Sequence, residues 1–112
     1  MKKNRMLIAS QDIAFKIIRE SVNEIFPDGS IFLFGSRARL DFSEDSDYDL
    51  MVVTEKAYES KELRLLKAMI RKKLAHNRIP ADIIIQSKAE LESNKKITGH
   101  IVRQVLKEGI LL

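Results

Sequence analysis

Apolar residues recur with helical spacing near both ends of this chain and form short unbroken runs in its middle. Ile13, Ala14, Ile17, Ile18, Val22 and Ile25 make one stripe, which predicts a helix capped by Ser10 and running to about Phe26. Pro27-Asp28-Gly29 ends it with turn chemistry. Ser30 to Phe34 is short, apolar and followed by glycine, so it predicts a buried strand. Gly35 to Ser46 is a polar connection with a helical turn near Ser36 to Arg39, and Tyr48 to Thr54 predicts a second strand. Ser60 to His76 carries Leu63, Leu66, Ile70 and Leu74 on one side and predicts a long helix. After Pro80, Ala81 to Gln86 predicts a third strand, and Ser87-Lys88-Ala89-Glu90 fits a capping box. Thr98 to Lys107 predicts a final helix carrying Ile101, Val102, Val105 and Leu106. Gly109 ends that helix, and Ile110-Leu111-Leu112 follows as an edge strand or a segment that docks on a partner.

This order of elements predicts one α/β (α+β) domain over residues 1–112. A small mixed sheet of three to four strands would have helices packed against at least one face. A chain of 112 residues can bury roughly two-thirds of its unfolded surface, enough for one core.

Composition narrows the partners. The apolar runs have four residues, whereas a membrane span needs about 20. The basic start, Met1-Lys2-Lys3-Asn4-Arg5, lacks the apolar stretch of a signal peptide. The chain has no cysteine, which excludes disulfides and thiolate metal sites and suits the cytoplasm. Twenty basic and sixteen acidic residues leave a net charge of +4, which favours a phosphate-bearing ligand or an acidic partner. Direct nucleic-acid binding is not expected. The densest basic run, Arg71-Lys72-Lys73, falls on the wet side of a predicted helix and has no aromatic neighbour.

The carboxylates carry the candidate chemistry. Residues two apart in a strand share a face, so Asp47 and Asp49 project together while Tyr48 and Leu50 point the other way. Like charges at that spacing repel unless a cation lies between them, and magnesium with oxygen ligands suits the pair. Asp82, at the start of the third predicted strand, completes a trio if that strand lies beside the second. Three carboxylates can hold two metals about 3.5–4 Å apart, the arrangement that supports in-line displacement at phosphorus. Gly35 lets backbone approach a phosphate closely. Ser36 offers a hydroxyl donor, while Arg37 and Arg39 could neutralise phosphate charge.

Leu33-Phe34-Gly35-Ser36-Arg37-Ala38-Arg39, followed by Asp45-Ser46-Asp47-Tyr48-Asp49-Leu50-Met51-Val52-Val53, resembles the nucleotidyltransferase superfamily typified by DNA polymerase beta. The match is closer to its minimal nucleotidyltransferase branch, whose signature is Gly-Ser, about ten residues, then Asp-x-Asp. The resemblance implies that Gly35 and Ser36 bind the triphosphate of a donor such as ATP. It implies that Asp47 and Asp49 ligate two Mg2+ ions, with Asp82 a ligand of the catalytic one. It further implies an antitoxin that transfers AMP to a tyrosine hydroxyl of a helical HEPN-group toxin. Transfer to a small molecule, as in aminoglycoside-modifying relatives, and a catalytically silent binding module are the alternatives. Many relatives have glycine after Arg-Ala-Arg, where this chain has Leu40; a position needing positive φ would strain leucine. His76, ending a helix, and His100, near the start of the last one, are expected to be structural. The residues leave oligomeric state open.

Overall fold

The computed structural model describes the backbone from Lys2 to Leu112 and side chains from Gln11 onward. The elements are α1 (Lys2–Ile25), β1 (Ser30–Phe34), α2 (Gly35–Arg39), β2 (Tyr48–Thr54), α3 (Ser60–His76), β3 (Ala81–Ser87), α4 (Lys88–Asn94), α5 (Ile101–Glu108) and β4 (Ile110–Leu111). The fold is therefore the expected mixture of helices around a small mixed sheet. Strand order is β3-β2-β1-β4. β1 runs antiparallel to β2 and β4, and β2 runs parallel to β3. No helix among the described residues is long and apolar enough to cross a membrane.

Strand alternation sorts the core into two layers. Ile31, Leu33, Leu50, Val52, Ile83 and Ile85 face α1 and α3, where Ile18, Val22, Ile70 and Leu74 are fully covered. Phe34, Met51 and Val53 face the opposite way, against Val102 and Val105 of α5, with Leu91 of α4 beside them. Helices thus cover both faces of the sheet. Asp49 and Asp82 have the parity of Met51 and Ile84, so they belong to the α5 face.

Two helix starts depart from expectation. α1 begins at Lys2, ahead of the apolar stripe, so Ser10 lies within the helix; its side chain and the capping role expected of it fall outside the described residues. α5 starts at Ile101 rather than Thr98, because Gly99 takes φ +82° and breaks the helical path. His100 then caps α5, its Nδ1 accepting from the Val102 N–H at 3.1 Å, a structural role. The capping box at Ser87 and Glu90 forms as expected, with bonds of 3.0 and 3.1 Å.

Leu40 closes α2 in the left-handed region, at φ 64° and ψ 25°. Its side chain is exposed at the end of α2 remote from Gly35, so the strain is in the backbone and the leucine does not cover Gly35. A left-handed conformation costs a side-chain-bearing residue roughly 1–2 kcal/mol, and glycine returns part of the gain through unfolded-state entropy. Leu40→Gly is expected to raise the melting temperature by roughly 2–5 °C. Calorimetry showing no rise would mean the turn carries no such strain.

Candidate functional site

The site lies where β1, β2 and β3 end together on the α5 face. The register aligns Phe34 with Asp49 and Asp49 with Asp82. Asp49 and Asp82 are therefore neighbours on adjacent strands, with side chains on the same face. Asp47 lies in the connection immediately before β2 and is exposed. The acidity of Asp49 reflects this crowding. Its pKa is raised above the usual carboxylate value, first by burial and then by the charges of Asp82 and Asp47, with Arg39 opposing.

Gly35 brings the turn against these carboxylates. It sits at φ +73°, open to glycine and strained for other residues. A Cβ built there would stand 3.1 Å from Asp49 Cγ and closer still to its Oδ2. The α2 backbone thus passes directly behind the Asp49 carboxylate. Ser36 follows, half-buried, and Arg39 is exposed.

Sequence reasoning missed one participant, Glu108 at the end of α5. Its Oε1 accepts from the Gly35 N–H at 3.0 Å, Arg39 Nη1 at 3.1 Å and Gln104 Nε2 at 3.0 Å. The Gly35 amide is the largest cause holding the Glu108 pKa below its usual value, with Gln104 and Arg39 adding to it. The signal was present in the terminal segment. Pairing Leu33 with Ile110 in an antiparallel register brings Glu108, two residues earlier, alongside Gly35.

Arg37 departs from its expected role. It is 4% exposed and wholly engaged inside the protein. Its Nε and Nη2 donate to Ser46 O at 3.2 and 2.9 Å, and Nη2 also donates to Glu44 O at 3.3 Å. Its Nη1 donates to Gln11 Oε1 at 3.4 Å. The guanidinium carbon lies 4.5 Å from the Phe42 ring centroid and 4.1 Å from that of Tyr48. Contact with a phosphate would require breaking these bonds, so the phosphate-neutralising role narrows to Arg39.

Residues 15–112 match the family model described as the nucleotidyltransferase domain. The chain belongs to that family. A candidate nucleotidyltransferase from Sulfolobus solfataricus, solved at 1.40 Å, is 26% identical, with a TM-score of 0.54 over 93% of this chain and 83% of that one. A candidate minimal nucleotidyltransferase, 24% identical with a TM-score of 0.51, is covered over 96% of its length and 98% of this chain; that likeness supports the fold. No curated protein matches closely enough to add a comparison.

The donor set can be tested for metal. Among the described residues no three carboxylates or imidazoles are grouped so as to hold a metal ion. The charges of Asp82 and Asp47 nevertheless add to burial in raising the Asp49 pKa, and all three residues supply hard oxygen donors. That chemistry fits a divalent cation such as magnesium, whose charge would offset the repulsion. A cleft of about 310 Å³ is lined by Ile13, Arg37, Tyr48 and Ile79 among others, towards the α1 side. A depression of about 670 Å³ is lined by Arg103, Gln104, Lys107 and Glu108. The first cleft contains none of the trio.

Proposed function

We propose that the chain transfers a nucleoside monophosphate, AMP from ATP, to a hydroxyl acceptor, acting as one domain over residues 1–112. The juxtaposition of Gly35 with Asp49 is the observation that carries this reading, because it sets a phosphate-binding amide beside the carboxylates. Gly35, Ser36 and Arg39 would bind the triphosphate. Asp47, Asp49 and Asp82 would hold Mg2+, which when bound supplies positive charge to the transferring phosphoryl group. The acceptor oxygen forms a bond to the α-phosphorus, the bond to the β-phosphate oxygen breaks, and pyrophosphate leaves. Asp82, its side chain 69% exposed and 3.8 Å from Arg71 Nη2, would help take the hydroxyl proton.

The acceptor we propose is a tyrosine of a HEPN-type toxin, making this chain an intracellular antitoxin. What supports it is the resemblance of Gly35-Ser36 and Asp47-Tyr48-Asp49, with ten residues between them, to the minimal nucleotidyltransferase branch. The test is intact-mass spectrometry of a HEPN protein encoded beside this chain, incubated with the chain, ATP and magnesium. A gain of one AMP on a tyrosine supports the reading. Labelling confined to small molecules would favour an aminoglycoside-type acceptor, and no labelling in a native lysate with any nucleotide would favour the silent module.

Glu108 occupies the donors that the triphosphate would use. Removing its charge weakens its hold on the Gly35 amide and Arg39 and lifts a repulsion. Glu108→Gln is expected to lower the ATP dissociation constant by about 3- to 10-fold, a change on the order of 1 kcal/mol. Titration calorimetry finding weaker ATP binding would show instead that the carboxylate shapes the phosphate site.

A further inference from the structure

We propose that Arg37 is a positioning residue that sets Asp47 for metal binding, by gripping the chain on both sides of that carboxylate. The proposal rests on the nucleotidyltransferase reading above. Ser46, immediately before Asp47, gives its carbonyl to two Arg37 nitrogens. Tyr48, immediately after, lays its ring 4.1 Å from the guanidinium carbon. Phe42 covers the guanidinium at 4.5 Å, and Glu44 O accepts from Nη2, so the loop folds around one cation. Gln11 fixes that cation from α1, accepting from Nη1 while its own Nε2 donates to Arg37 O at 3.1 Å.

Burying a guanidinium without a counter-charge is costly. Among the described residues Arg37 forms no ion pair. Its partners are carbonyl oxygens, an amide oxygen and two aromatic faces, which satisfy the fork of donors without drawing on Asp47 or Asp49. A carboxylate partner would have added another negative group beside Asp47. The choice of arginine follows from geometry, since a planar fork can bind Ser46 through two nitrogens and stack between rings, whereas an ammonium cannot. Arg37 also lies two residues from Gly35 on α2. One side chain therefore ties the turn that would take phosphate to the loop that carries Asp47.

Groups that orient metal ligands typically matter about 10- to 100-fold in metal affinity. The test compares Mn2+ affinity, measured by electron paramagnetic resonance, in wild type, Arg37→Met, Arg37→Lys and Phe42→Ala. Hydrogen exchange over residues 42–48 reports the loop in the same samples. Ile70→Val, in the core behind α3, controls for general destabilisation. Support would be an affinity about 10-fold weaker in Arg37→Met at a temperature where its circular dichroism matches wild type. Faster exchange over 42–48 should accompany it, with a partial loss in Arg37→Lys and an unchanged Ile70→Val. Should Arg37→Met fail to fold, Arg37→Lys and Phe42→Ala decide by the same measures. Unchanged affinity in folded variants, or an equal loss in Ile70→Val, overturns the positioning role. A wild type that binds no Mn2+ refutes the metal site itself and removes the role with it. The exchange data then separately show whether the clamp holds the loop.

Discussion

Asp49→Asn is expected to abolish nucleotidyl transfer while raising the melting temperature of the metal-free protein. The two effects share one cause. Asp49 lies on the sheet, between Phe34 and Asp82, where burial first and the charges of Asp82 and Asp47 next disfavour its ionised form. A carboxyl whose folded pKa is raised stabilises the protein below its unfolded value, and that contribution is lost as pH rises through the folded pKa. At neutral pH wild type therefore carries the full penalty, and asparagine, of the same shape, does not. The variant should melt about 2–5 °C higher at pH 7, and the gap should close in acid below the ordinary value of 3.8. Magnesium should reverse the order by binding folded wild type and raising its melting temperature with concentration. Transfer should fall by at least about 10³-fold, the scale of losing a group that organises transition-state charge. A variant that melts below wild type without metal at pH 7 would mean that the carboxylates do not repel. One that retains transfer would remove Asp49 from the chemistry.

Much of this arrangement was legible in the sequence because its signals are local. β1, β2 and α3 have the expected bounds, since apolar runs end at Gly35, begin after Asp47, or carry an unbroken helical stripe. The pairing that places Asp82 beside Asp49 stood only as a condition in the sequence; the long helix between the two strands provides the crossover that their parallel pairing needs. The remainder depends on distance in the chain. Glu108 meets Gly35 across 73 residues, and the terminal segment announced an edge strand without saying that β1 is its neighbour. Arg37 reads as a surface cation within Arg-Ala-Arg, and its burial appears only once Gln11, Phe42 and Tyr48 close around it. The positive φ of Leu40 was foreseeable only as a question, because leucine itself gives no sign of a left-handed turn.

Gly35→Ala should cost both stability and transfer, and the two losses can be separated. At φ +73° an alanine sits in a region that costs roughly 1–2 kcal/mol. Its methyl would also press on the Asp49 carboxylate, with Cγ at 3.1 Å and Cβ at 3.3 Å. Asp49 is fixed by pairing with both β1 and β3, so its backbone has little room to yield. Overpacking of this kind adds about 1–3 kcal/mol. The summed cost lowers the melting temperature by roughly 10 °C in a chain of this size. A double-mutant cycle with Asp49→Ala divides the cost. The steric part should be recovered when Asp49 loses its carboxylate, while the backbone part should persist. Equal destabilisation in both backgrounds would assign the whole effect to φ and leave room behind Asp49. Recovery of stability in the Asp49→Ala background would instead show that glycine is needed because this carboxylate stands against the turn. The same closeness would let phosphates held at the Gly35 amide lie within reach of cations held by Asp49.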